Sequence, residues 1–575
     1  MAYLGLASFL LWSASSDVLA GRDALISLAS VDPLSADLDQ LELQLVEAGR
    51  PVASGSSKLR SPLLWPLRPV PVVGRQVAVA RAIATVADDV VAQTTAVVGE
   101  AAELQRAPET ERVAVLRRLE TGLATLNETL ADPDLGPRNN LFGVLATARG
   151  DAEVQLGDLR DQARDAEIVV TGLRSFLERS SYLTMAANIN EMQVGAGTPL
   201  SIGTMELENG DFTVESFVTL EDVDVPSGLP SVDADVATLW GFLAPTNDFK
   251  KLMLSPRFDA FGGPQSLVLY EAVADRSLGG SLVLDPVALK AMLTVVGPVE
   301  VEGETFDADN VLRYIFVDQY DEFLTGDEVD LSNLSTLSEG QLARRDRLAG
   351  IAAATVDALA NGEFDPLALI EAFRPVARGR HVLAYSSVPE EQAMWEALGV
   401  AGVMDGNEVG VSLLNIGVNK LDPFVDVDVE VTEGPGATSG TRSIELAVTI
   451  SNDAPPTLPT GVTGYYWETI GMPTPASYLG RLMILAPSGT TSLMLDDPDR
   501  PIEVFGKDGP LAVLVTRLEP IPEGTSVTIR AHIELEAGAM TAYELFPSGR
   551  YIPVDYTWNG ASFNDAVFAD IPLDD

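Results

Sequence analysis

Cysteine is absent from the 575-residue chain, and histidine occurs only as His381 and His532. The first absence excludes disulfide frameworks, zinc–thiolate sites, iron–sulfur clusters and thiol nucleophiles. The second argues against a multi-histidine metal centre and most histidine-based catalysis. Lysine is nearly as scarce, with six residues (58, 250, 251, 290, 420 and 507) among 37 basic side chains. Against these stand 84 acidic residues, for a net charge of −47. So acidic a chain is not built to hold phosphate backbones by bulk electrostatics, and no nucleic-acid partner is expected. The shortage is uneven: residues 1–180 hold 17 basic and 24 acidic side chains, and residues 181–575 hold 20 and 60.

Long apolar runs are also missing. Ala2–Trp12 is strongly apolar, and Asp17 is the first charged residue. That run is shorter than the ~20 residues needed to span a bilayer, and no basic segment precedes it as in a signal peptide. A membrane anchor truncated at its start, an unusual signal peptide and a buried helix all fit. The best later stretch, Val77–Val98, is interrupted by Arg81, Asp88 and Asp89. Any anchor is therefore single and N-terminal.

What is present is enough for several cores. Hydrophobic residues make up 46% of the chain and charged residues 21%, which excludes wholesale disorder. At about 150 residues per domain, roughly three domains of unequal size are expected.

Residues 20–180 read as helical. Leu116, Leu119, Leu123, Leu126 and Leu130 recur at steps of three and four, and so do Leu156, Leu159, Ala163, Ala166, Val170, Leu173 and Leu177. The break Asp132–Pro137 between them predicts a helical hairpin or small bundle. Ser61–Gly74 holds four prolines and cannot form regular helix.

Residues 181–415 mix short β-rich runs with helical ones, as an α/β domain does. In 420–575, Val425, Val427, Val429 and Val431 alternate with acidic residues. Ile444–Ile450 and Val527–Leu535 alternate likewise. This period of two, punctuated by Pro and Gly, predicts an immunoglobulin-like β-sandwich that folds by itself. The fold expected is thus multidomain α+β.

Three features could carry chemistry. Asp285-Pro286 follows a strand and opens a helix ended by Gly297-Pro298, so an N-cap role accounts for Asp285. Arg344, Arg345 and Arg347 cluster near a helix start behind a capping-box sequence at Ser338–Gln341. They suit either a solvated ion-paired face or a pyrophosphate clamp. Asn188-Ile-Asn190-Glu191-Met-Gln193-Val-Gly-Ala-Gly197 follows a strand at Tyr182–Ala187 and reads as a turn able to line a polar site. No Walker loop, nucleophile elbow or His-Glu-x-x-His motif occurs.

Together these residues resemble the bacterial envelope family called domain of unknown function 4012. Its hallmark turn N-N-x-E-x-R-x-x-G-G is similar to Asn188–Gly197. Gly241–Asp248 with Leu254–Asp259, Gly280–Val299, Asp307–Val311, Gly379–Leu383 with Pro389–Ala393, and Asn415 with Asn419–Asp422 continue the likeness. Three departures fall in the turn: Gln193 replaces the arginine, the paired asparagines are separated by Ile189, and Ala196 replaces a glycine. An anionic ligand held there in relatives would be held more weakly here. The resemblance implies one transmembrane helix, then a helical region, then a domain outside the membrane. It makes residues 1–19 a truncated anchor and places the bulk of the chain outside the cell membrane.

The central domain also resembles, distantly, LytR-CpsA-Psr proteins, which transfer glycopolymers from polyprenyl-pyrophosphate carriers. Two functions follow as expectations. One is a non-catalytic envelope protein that binds or scaffolds cell-surface glycopolymer, with no cofactor and no catalytic residues. The other is a phosphotransferase-like enzyme acting on a polyprenyl-pyrophosphate-linked glycan. In that case Glu191 holds Mg²⁺ while Arg257, Arg344, Arg345 and Arg347 neutralise the pyrophosphate. The ligand-binding residues expected are those five with Asn188 and Asn190.

Overall fold

The computed structural model describes residues 13–14, 37–215, 217–323, 339–361, 366–437, 440–536, 542–566 and 570–572. Apart from Ser13 and Ala14, the anchor expected at 1–19 lies outside the described residues. Among these, no helix is long and apolar enough to cross a membrane. The chain is mixed α+β, with a helical N-terminal region, a central α/β part and C-terminal strands in sheets. It divides into two compact units, Met1–Arg179 with Leu207–Asp211, and Ser180–Glu206 with Phe212–Asp575.

Among the described residues, the first unit is built on the helices Leu38–Leu59, Val73–Arg106, Glu109–Ala131 and Gly143–Glu178, each packed against the next. The leucine seam at 116–130 is buried throughout. Its distal residues Leu126 and Leu130 meet Val90 and Ala163, with Leu156 and Leu159 beside them. Polar ties flank the seam: Arg174 donates to Glu120 at 2.8 Å and Asn127 to Glu167 at 2.6 Å. Before Val73, the proline-rich connection forms only a 3-10 turn, Pro62–Leu67, capped by Ser61.

In the second unit the central sheet runs in the order 211–214, 197–208, 179–192, 280–284, 382–386, with 218–219 paired off strand 197–208. Strands 179–192 and 280–284 are parallel, and 280–284 and 382–386 are antiparallel. Asp285 caps the helix Pro286–Val296, its Oδ1 accepting from Val287 and Ala288 at 2.8 and 3.1 Å. Strand Arg179–Met192 runs five residues beyond the Tyr182–Ala187 expected from sequence. The chain reverses only at 193–196, where Gln193 N–H donates to the Ala196 carbonyl at 2.9 Å. Asn188, Asn190 and Glu191 are therefore strand residues.

The C-terminal strands form two six-stranded sheets, ordered 490–495, 525–536, 441–452, 425–435, 555–558, 561–564 and 502–508, 511–517, 480–486, 408–415, 542–545, 570–572. The alternating valines at 425–431 and the apolar residues of 444–450 face one cluster that also includes Val411, Leu413, Leu482, Ile484 and Leu514 of the second sheet. That second sheet is apolar on its other face too. Met483, Leu485, Leu511, Val513 and Val515 pack against Val236, Leu239, Trp240 and Phe261 of the central part. Strand Glu408–Asn415, on the central side of the division expected at 415–420, pairs with 480–486 and 542–545.

These contacts decide which fragments fold. Residues 422–575 alone lack strand 408–415 and expose the face carrying Met483, Leu485 and Val513. Such a fragment should aggregate or melt without cooperativity, contrary to the independent folding expected from the alternation of its strands. Residues 180–575 should give one cooperative transition by circular dichroism. A cooperative transition for 422–575 would show that the two-faced burial is dispensable.

Candidate functional site

The strand end at Asn188–Met192 and the reversal after it are set by close backbone packing. A Cβ on Gly197 would lie 2.8 Å from the Asn188 carbonyl, so only glycine fits. Asn188 Oδ1 accepts from Asn190 N–H at 3.2 Å, and Thr198 donates to the Glu191 carbonyl at 2.7 Å. Gln193, at the position where the family turn has arginine, donates to the Lys250 carbonyl and, at 3.3 Å, to Thr198. Asn190 is fully buried, and neither atom of its amide has a hydrogen-bond partner. Each such orphan costs about 1–3 kcal/mol.

Glu191 does not stand open. Lys420 Nζ lies 2.5 Å from its Oε1, and Asn188 Nδ2 lies 3.4 Å from the same oxygen. The Lys420 ammonium is 5.9 Å from the Tyr320 ring centroid, and the Arg344 guanidinium is 5.3 Å from it. Arg344 also donates to Gln319 Oε1 at 3.0 Å, while its buried Nε has no partner. Burial pushes the Lys420 pKa down, but the Glu191 carboxylate more than offsets this and holds it above the ordinary lysine value. Glu191 and Arg344 are thus brought into one neighbourhood, joined by Lys420 and Tyr320.

The remaining arginines are committed elsewhere. Arg345 pairs with Glu221 at 3.0 Å, a carboxylate it shares with Lys250. Arg347 pairs with Glu302 at 2.8 Å, Glu304 at 2.5 Å and Glu322 at 3.4 Å. Arg257 is buried between Asp508 and Asp233, at 2.5 and 2.9 Å. Arg345, Arg347 and Arg257 are thus paired with carboxylates other than Glu191.

Sequence reasoning passed over Lys420 and Asp422 as site residues, although the segment Asn419–Asp422 carried part of the family resemblance. The buried Asp422 carboxylate accepts from Asn415 at 2.7 Å, Tyr478 at 3.0 Å and Met192 N–H at 3.1 Å, with Arg550 at 3.5 Å. It ties the end of strand 179–192 to the C-terminal part. Among the described residues, Asp405, Glu408 and Glu544 are the carboxylates best grouped to hold a cation, with oxygens within 4.8 Å of one another. Both Glu408 oxygens already accept loop amides, from Asp405 and Gly406, at 2.9 Å.

The second carboxyl oxygen of Asp285 lies 2.6 Å from Nδ1 of buried His381. Burial opposes the imidazolium, yet Asp285, by charge and hydrogen bond, and Asp565, by charge, hold its pKa above the ordinary 6.5. A raised folded pKa contributes stability that is complete below about 6.5 and lost as the pH rises through the folded value. Melting temperature should therefore fall across that window above pH 6.5, and the slope should flatten in His381→Gln. An unchanged slope would remove His381 as its source.

The two kinds of arginine should separate cleanly in denaturant melts. Arg257→Ala leaves buried carboxylates unpaired and should cost roughly 3–5 kcal/mol. Arg345→Ala breaks a pair whose glutamate is solvent-facing and should cost about 0–1 kcal/mol. Equal losses would contradict the burial assigned to Arg257.

No curated protein and no solved structure matches the chain. Strand Arg179–Met192, its reversal, the Asp285 cap and Tyr320 all fall within one stretch that a family model recognises, whereas Arg344 and Lys420 lie beyond it. Residues 178–320 match the family described as Protein of unknown function (DUF4012), and that match supports the DUF4012 family for this chain.

Proposed function

We propose that the protein is a non-catalytic cell-envelope protein that binds or scaffolds surface glycopolymer, held to the cell membrane by its N-terminus with the bulk of the chain outside. One observation carries the non-catalytic reading: Arg257, Arg345 and Arg347 are each neutralised by the protein's own carboxylates, and Glu191 by Lys420. Phosphoryl transfer depends on cations aimed at developing negative charge and on carboxylates free to hold Mg²⁺. Here those three arginines and Glu191 are spent on internal ion pairs. The envelope setting rests on the family resemblance, as does the glycopolymer. The C-terminal sheets, with their shared apolar cluster, support an immunoglobulin-like sandwich as the binding scaffold.

A LytR-CpsA-Psr-like phosphotransferase is the second reading. Arg344 favours it, since this arginine lies against the same Tyr320 ring as Lys420 and has an unpartnered Nε.

Titration with a soluble short-chain polyprenyl pyrophosphate analogue, with and without Mg²⁺, separates the two. No saturable binding is expected, while purified glycopolymer from the host envelope should bind saturably. Mg²⁺-dependent pyrophosphate binding that falls tenfold or more in Arg344→Ala, about 1.4 kcal/mol, would replace the first reading by the second. In the host, the complete gene product should sediment with membranes and be cut by external protease. Recovery as a soluble cytoplasmic protein would sink the location.

A further inference from the structure

Between Ala48 and Ala87 the chain carries six basic side chains and no acidic one, in a molecule with 84 acidic and 37 basic residues. The centre of this stretch is the connection between helices Leu38–Leu59 and Val73–Arg106. Those helices pack against each other, so the connection forms a tip at one end of the pair.

The tip shows apolar groups to solvent. Trp65 is 56% exposed, Val72 44%, Leu63 43% and Val70 41%. Arg68 and Arg75 are exposed among them, with the Arg68 guanidinium 5.5 Å from the Trp65 ring centroid.

This outward display is held in place. Gly74 N–H donates to the Val70 carbonyl at 2.8 Å, and a Cβ on Gly74 would lie 2.2 Å from the Arg68 carbonyl oxygen. Val72 sits at φ 66°, a left-handed conformation costly for a β-branched residue. Arg81 grips the end of the first helix through two hydrogen bonds, at 2.9 and 2.7 Å, to the Leu59 carbonyl. Local packing thus fixes the apolar side chains facing water.

A second observation concerns the same place. Lys58 Nζ donates to Ser13 Oγ at 2.8 Å, and Ala14 is buried with Leu59, Leu64, Val77 and Ala84. Ser13 and Ala14, which follow the apolar run Ala2–Trp12 in sequence, therefore lie beside this tip.

We infer that the tip at residues 58–75 docks on the surface of an anionic phospholipid bilayer. Tryptophan favours the headgroup level, aliphatic side chains reach the acyl boundary, and arginines pair with lipid phosphates. Charge complementarity selects this occupant, because residues 58–75 carry four basic and no acidic side chains, Arg60 being paired with Asp88 at 3.2 Å, on a chain whose net charge is −47. The inference stands apart from the glycopolymer reading and survives or fails without it.

The test uses the full-length protein and vesicles of phosphatidylcholine, with or without phosphatidylglycerol, at low and high salt. Partitioning should be stronger on the phosphatidylglycerol vesicles and weaken with salt. Each arginine at an anionic surface is worth about fivefold in partitioning, so the Arg68→Ala, Arg75→Ala double variant should bind about 25-fold more weakly. Its circular dichroism should be unchanged, since both side chains are exposed. Brominated lipid should quench a tryptophan signal that Trp65→Phe removes. Binding insensitive to lipid charge, to salt and to the double substitution would assign any membrane affinity to the N-terminal run and overturn the proposal. So would self-association abolished by the same substitutions, which would make the tip a contact with a second, acidic copy.

Discussion

The second unit depends on a sheet that is apolar on both faces. Strands Gly480–Ala486 and Leu511–Arg517 send one set of side chains into the cluster shared with the other C-terminal sheet. They send the opposite set against Trp240 and its neighbours in the central part. At about 25 cal/mol per Å² of apolar surface, neither face can be left in water without forfeiting several kilocalories per mole. The central and C-terminal parts therefore share their stability, and polar ties reinforce the apolar contact. Arg257 reaches Asp508, Asp235 accepts Gly509 N–H at 3.0 Å, and Ser412 donates to the Val194 carbonyl at 2.8 Å. The reversal after strand Arg179–Met192 is thus clamped from the C-terminal side, and that clamp places Glu191 against Lys420.

Scarcity of positive charge explains much of the rest. Where carboxylates outnumber cations more than twofold, each buried arginine is in demand, because a buried carboxylate without a partner is far costlier than a paired one. Arg257 and Arg550 meet that demand inside the second unit. Arg345 and Arg347 meet it at its surface, where exposed glutamates gain little from them. Arg380 takes a different route. It is fully buried, donates to two backbone carbonyls and lies 5.5 Å from the Phe546 ring centroid, and desolvation lowers its pKa to about 10. Of the arginines that looked like a clamp in sequence, Arg257, Arg345 and Arg347 are, in space, counter-ions.

The helical seam, the Asp285 cap and the alternating strands at 425–431 were legible because each expresses a local period or a local hydrogen bond. Strands 480–486 and 511–517 were passed over for the opposite reason. Buried on both faces, they read as continuous apolar runs without alternation, which periodicity cannot separate from a short buried helix. The division expected near residue 420 has the same cause. Strand Glu408–Asn415 is buried on both faces and shows no alternation to join it to the strands that follow.

The candidate site was half legible. Glu191 and Arg344 belong to local patterns that catch the eye, a strand end before a glycine turn and a basic helix start. What gives them meaning comes from far along the chain. Lys420 arrives from a loop that Asp422 pins to the Met192 amide, and Tyr320 comes from the helix Gln319–Phe323. Only tertiary packing brings Lys420 to Glu191 and sets both Lys420 and Arg344 within 6 Å of the Tyr320 ring centroid, and packing also sets which carboxylate each cation meets. Composition had announced six lysines in 575 residues. A lysine half-buried among so few gains most from pairing with a carboxylate, and here that carboxylate is the one on which a metal-binding role for the strand end would have depended.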